Sequence, residues 1–183
     1  MPSQARVALD EQIKDFDELM QARDTICPDG AGRPAKRQGA AIIRASVLML
    51  AAAFEAYAED VYEEAVDLIY ANKTAAKRQA LKGDTSQKMN NATIYKLNNL
   101  FIHLGISWIM DHPRICWQKF SNASVQDTLG ALMAARNRNA HGRPKGVRKP
   151  TAVKWRYFSL KLADRIDLVV AERVDEVPGN RPW

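Results

Sequence analysis

Cysteine occurs twice in the 183 residues and histidine three times. Two thiols cannot build a disulfide scaffold. Cys27 and Cys116 lie far apart, with no partner set at structural-zinc spacing, so no metal site is expected. Glycine (9) and proline (8) are too few for a collagen-like or low-complexity chain. Gly-rich phosphate loops, H-E-x-x-H, C-x-x-C and nucleophile elbows are missing, which removes most enzyme templates and gives no sign of a cofactor. The longest unbroken apolar run is Val47 to Phe54, far short of the ~20 residues of a membrane span. The first residues, MPSQARVALDEQIKDFDEL, are charged throughout and lack a signal-peptide core. The expectation is a cytoplasmic protein in a reducing compartment, without a membrane partner.

What is present is a well-mixed composition, 46% hydrophobic and 26% charged, on one domain's length. The net charge is +6, unevenly spread. Between Arg136 and Lys161 there are nine basic residues and no Asp or Glu, so this segment carries +9 and the remainder −3. Such a stretch attracts polyanions, nucleic acid above all. The alternative is a solvated linker and helix face.

Apolar residues recur with helical period almost everywhere. Leu9, Ile13, Phe16 and Met20 share a stripe that ends in the turn cluster Ile26 to Pro34. A long helix is expected from near Gln38 to near Tyr70. Ile43, Val47, Leu50, Phe54, Tyr57, Val61 and Leu68 mark its buried face, broken by Glu64, and its second half is acidic. Residues 71–90 read as a polar connection holding a short helix. Ile94, Leu97, Phe101 and Leu104 mark another helix, stopped by Gly105. In the segment after it Trp108, Ile109, Ile115 and Trp117 call for burial. Ser124-Val-Gln-Asp127 reads as a capping box opening the next helix, with Leu129, Leu132 and Met133 on its buried face. Trp155, Phe158, Leu162, Ile166 and Val169 define the last helix. No period-two strand appears. The fold class is all-α: about five main helices on one long one, a single domain over 1–183 with its core at 9–174 and a tail at 175–183.

His103 falls between apolar positions and reads as a packed or half-exposed helix histidine. His112, before Pro113, reads as a turn residue. His141 closes Ala134-Ala-Arg-Asn-Arg-Asn-Ala-His-Gly142 at the mouth of the basic segment. It stands four residues after Asn137, on the same face. Arg136, five residues before it, is rotated by about 140° and continues the stripe of Leu129, Leu132 and Met133. A cation there needs an ion pair or a cleft. One account pairs Arg136 with Glu55 or Glu59 of the long helix and makes His141 a dipole-favoured C-terminal cap. The other makes both members of a site.

Arg136-Asn137-Arg138-Asn139-Ala140-His141 resembles the R-x4–6-H motif of the HEPN superfamily, here near the end of a penultimate helix and followed by Gly. The helix from Ala45 to Asp60 resembles the long helix of the RiboL-PSP type. The likeness runs from about Leu9 to Val174. It implies a helical bundle that forms a homodimer with a composite cleft. It also implies, in many members, metal-independent endoribonuclease activity, as in toxins, abortive-infection effectors or RNA-processing enzymes, and with the first two an antitoxin or defence-system partner. Carried over, Arg136 and His141 are the catalytic pair, Asn137 the polar residue of the motif and Glu55 the acid supporting the arginine. Arg143 stands where one branch of the superfamily has a modifiable Tyr, so that regulation is not implied.

The resulting expectation is RNA cleavage by 2′-OH attack to a 2′,3′-cyclic phosphate. His141 acts as base or acid and Arg136 holds the phosphate. Arg138, Arg143, Lys145, Arg148, Lys149, Lys154 and Arg156 bind flanking phosphates, with Trp155 or Tyr157 for base stacking. The alternatives are an inactive HEPN module binding RNA or nucleotide, and a helical protein-interaction domain.

Overall fold

The computed structural model describes the chain except Asp29, Gln87, Lys88, Asn90, Lys119 and Arg143 to Lys145, with backbone alone at 84–86. Among the described residues the fold is all-α. The helices are α1 (Gln4–Ile26), α2 (Arg33–Ile69), α3 (Ala75–Ser86), α4 (Ile94–Ile102), α5 (Asn122–Ala140) and α6 (Lys149–Asp175). Two single-turn 3-10 segments lie between α4 and α5.

The periodic stripes mark the core as expected. Leu9, Ile13 and Phe16 of α1 are buried, as are Val47, Leu50, Phe54, Tyr57 and Val61 of α2 and Leu162 and Ile166 of α6. At 37 residues α2 is the spine. It is also the one helix, among the described residues, long and apolar enough to cross a membrane by length and composition. Here it sits at the centre of the bundle, where α1, α5 and α6 cover it.

Side-chain links fix the relative directions of α1, α2 and α6. Cys27, just past α1, faces Gly39 near the start of α2. At the other end, Glu64 of α2 accepts hydrogen bonds from the N–H groups of Gln4 (3.1 Å) and Ala5 (2.5 Å). So α1 and α2 are antiparallel. The apparent break in the α2 stripe at Glu64 is therefore a cap for the unpaired first-turn amides of α1. Helix α6 runs antiparallel to α1, through Lys149–Asp24, Arg156–Asp17 and Arg6–Asp164. Buried Asp167 then gathers both chain ends. It accepts from the Ser3 hydroxyl, from Ser3 N–H (3.2 Å) and from Trp183 Nε1–H (2.9 Å).

Two expectations need correction. Helix α5 is capped not by Ser124 but by Ser121, whose side chain accepts the Ser124 N–H. The same Ser/x/x spacing occurs one turn earlier, and the chain takes the earlier cap. Trp108 is 64% exposed, at a positive φ of 53°, while Ile109 and Ile115 are fully buried. A left-handed residue at that turn sends its side chain outward while its neighbours fill the core.

Candidate active site at the end of α5

Helix α5 buries Val125, Leu129, Leu132 and Met133 in register. The next position on that face is Arg136. The helix ends at Ala140, and His141 is its C-cap, with its N–H donating to Asn137 O at 3.0 Å. Gly142 follows at φ +67°, the left-handed residue that closes many helices.

Arg136 is half-buried and leans on α2. Its Nη2 lies 3.9 Å from Glu55 Oε2, the outer limit of an ion pair. Its Nη1 donates to Asn137 Oδ1 at 3.2 Å, and the same oxygen accepts from Asn91 Nδ2 at 3.0 Å. Asn137 thus positions the guanidinium and ties α5 to the segment before α4. Among the described residues its amide makes no bond to the His141 imidazole; the link between the two is through backbone.

Glu55 has its pKa raised by burial, which outweighs the attraction of Arg136 and Lys96. A carboxylate still raised beside two cations is not locked into a tight pair. One turn on, burial pushes Glu59 up to about 7, helped by repulsion from Glu55, Asp60 and Glu63. The C-terminal half of α2 is therefore crowded with reluctant anions, and Arg136 stands at its border.

His141 is exposed, and its side chain has no hydrogen bond or ion pair among the described residues. The structure brings together Arg136, Asn137 and Glu55, and leaves His141 exposed at the helix tip, joined to Asn137 through its backbone N–H. His103 is exposed at the end of α4. His112 is a turn residue whose Nδ1 accepts the Arg114 N–H.

The basic segment is less available than its count suggests. Arg156 makes a bidentate contact with Asp17, at 2.7 and 2.6 Å. Lys149 contacts both oxygens of Asp24, at 2.8 and 2.6 Å. Arg138, Arg148 and Lys154 are exposed and lack an acidic partner among the described residues. Arg143 and Lys145 lie outside the described residues. Trp155 is 9% exposed and belongs to the core, so it is not a stacking surface. Tyr157 is 64% exposed, with the Arg156 guanidinium 5.6 Å from its ring centre.

Sequence reasoning missed Asn91 and Lys96. Both come from a polar connection and an adjoining helix whose spacing says nothing about α5. It also gave Asn139 no role. That amide lies in the motif with both polar atoms buried and unpartnered among the described residues. No group of three or more His, Cys, Asp or Glu among the described residues could hold a metal ion.

The sequence model of the RiboL-PSP-HEPN family matches residues 10–172. The chain belongs to the RiboL-PSP-HEPN family. No curated protein and no solved structure matches it. HEPN domains are all-α and generally act as ribonucleases or nucleotide-binding modules; they often bind RNA and dimerise. In this HEPN domain the R-x4-H residues fall on the last two turns of α5 and its cap, and the motif arginine meets the long helix at Glu55.

Proposed function

We propose that the protein is a metal-independent endoribonuclease whose Arg136 and His141 act on the scissile phosphodiester. The observation that carries it is the loose hold on Arg136. The guanidinium is oriented by Asn137 and restrained by Glu55 at 3.9 Å, within a motif that ends in an unencumbered histidine. A phosphate oxygen competes well for such an arginine, because bidentate binding to phosphate is stronger than a stretched ion pair.

In the proposed step the ribose 2′-oxygen attacks phosphorus as an imidazole removes its proton. The P–O5′ bond breaks and the leaving oxygen receives a proton from a second acid. The products are a 2′,3′-cyclic phosphate and a 5′-hydroxyl. Arg136 balances the charge that builds on the phosphoryl oxygens. Within one protomer Arg136 and His141 diverge by about 140° around the helix. A homodimer would face the two motifs across one cleft, with acid and base from different subunits. A toxin or defence role, with an antitoxin or defence partner, and a cytoplasmic location are compatible with this chemistry.

The divergence also favours a second reading. A chain that stays monomeric presents no assembled acid–base pair and binds RNA or nucleotide without turnover.

The test is purified full-length protein on mixed RNA and on the all-deoxy equivalent. Wild type is expected to cut RNA only. His141→Ala is expected to lower the rate by about 10²–10⁴-fold, the usual worth of general acid–base catalysis. Arg136→Ala should cost about 10²–10³-fold, as for loss of a group that stabilises developing charge. Cleavage of DNA, or full activity in His141→Ala, overturns the mechanism. RNA affinity without turnover selects the second reading.

A further inference from the structure

Helix α2 is electrically two helices. From Arg33 to Phe54 it carries Arg33, Lys36, Arg37 and Arg44 and no acid, whereas from Glu55 to Asp67 it carries six carboxylates. Arg136 meets it at the border, at Glu55. At the basic end, an open groove of about 720 Å³ is lined by Arg33, Pro34, Arg37, Gln38, Ala41 and Arg44. None of its three arginines forms an ion pair among the described residues, unlike Lys149 and Arg156 of α6. At the acidic end, a pocket of about 330 Å³ is lined by Asp60, Glu63, Glu64 and Asp67 with Lys82.

Helical geometry relates the groove to the motif. Arg37 and Glu55 are eighteen residues apart, which is five full turns, so they share one face about 27 Å apart. Arg44 is eleven residues from Glu55, within about 20° of that face and about 16 Å along the axis. The stripe between is low and partly or fully exposed: Ala41, Ala45, Leu48 and Ala52. A polyanion held at Arg136 is repelled along α2 in one direction and attracted in the other. The distances are those that a few nucleotides of extended single strand span.

Resting on the ribonuclease reading of the Arg136 site, we infer that single-stranded RNA leaves that site towards the N-terminal end of α2, where Arg33, Arg37 and Arg44 bind its flanking phosphates. The groove is thus an extended subsite that the sequence charge count hid, because these arginines fall in the part of the chain that sums to −3. It contributes affinity and strand direction without touching the reacting atoms. The contacts are to phosphates, so the groove is indifferent to base identity.

The test uses a short, labelled, mixed-sequence single-stranded RNA and full-length protein, with affinity measured across a salt series. The groove variant is Arg33→Gln/Arg37→Gln/Arg44→Gln. The charge-matched control is Lys14→Gln/Lys73→Gln/Lys77→Gln, all exposed and outside the groove. Each phosphate contact to a single strand contributes about 0.7 to the salt slope. The groove variant should therefore lose about 2 from that slope and bind about tenfold more weakly at moderate salt. The control should match wild type. In turnover the groove variant should raise KM and keep kcat. Photo-crosslinking of thiouridine-substituted RNA to unmodified protein should label the first turns of α2, a readout that needs no variant. Equal slopes in groove variant and wild type, or crosslinks confined to the acidic half, overturn the subsite and leave the ribonuclease reading standing. A groove variant that binds RNA normally but changes oligomeric state assigns the groove to a second copy of the chain instead. If wild type has no RNA affinity at all, both fall.

Discussion

Glu59 shows how one residue links the site to stability. Its folded pKa of about 7 lies above the ordinary 4.5, because burial and three neighbouring carboxylates disfavour its charge. The folded chain therefore holds this proton more tightly than the unfolded chain between those values. Stability from this group is fully present below about 4.5 and is lost as pH rises through about 7. Glu55, Asp60 and Glu64 are raised mainly by burial and push in the same direction. Glu59→Gln is thus expected to raise the urea midpoint at pH 8 and to change it little at pH 4. Equal gains at both values would show that the gain comes from something other than lost charge. At this scale the motif was legible in sequence, since Arg136 does head for α2 and meets the acid proposed for it. The partners of the other charged side chains were not. Asp17 and Asp24 lie more than a hundred residues from Arg156 and Lys149, and no local pattern announces a pairing set by how helices dock.

The approach of the chain after α1 to α2 depends on one small residue. A Cβ on Gly39 would stand 2.9 Å from Cys27 Cβ, so α1 and α2 approach there only because Gly39 has no side chain. Gly39→Ala gains about 1 kcal/mol of helix propensity and costs about 1–3 kcal/mol of overpacking. The net expectation is a loss, read as a thermal midpoint lower by a few degrees. A midpoint that rises would mean the helices slide apart freely. Helix existence and core faces followed from period, as for Leu9, Ile13 and Phe16. Ends were harder, because Ser121 and Ser124 offer competing caps with the same spacing. Trp155 was read both as a stripe residue and as a stacking surface, and its burial bears out the first; Trp108 was expected to be buried and is exposed. Size and apolarity do not say whether a tryptophan sits on the inner stripe or at a left-handed turn.

For the whole molecule, α2 sets an unusual electrical arrangement. A helix prefers anions near its N-terminus and cations near its C-terminus, and α2 has no acid in its first turn and no base in its last. Its charge polarity adds to the backbone dipole instead of opposing it. Packing of its buried residues, not its electrostatics, holds it in place. Screening should therefore relieve the fold while it weakens the hold on a polyanion. Raising the ionic strength is expected to increase the thermal midpoint and to decrease RNA affinity over the same range. A midpoint that falls with salt would mean that pairs such as Arg156–Asp17 dominate the balance. If both trends are found, solvent ions set stability against capture: the conditions that best preserve the protein in storage are those under which it would least engage the proposed RNA.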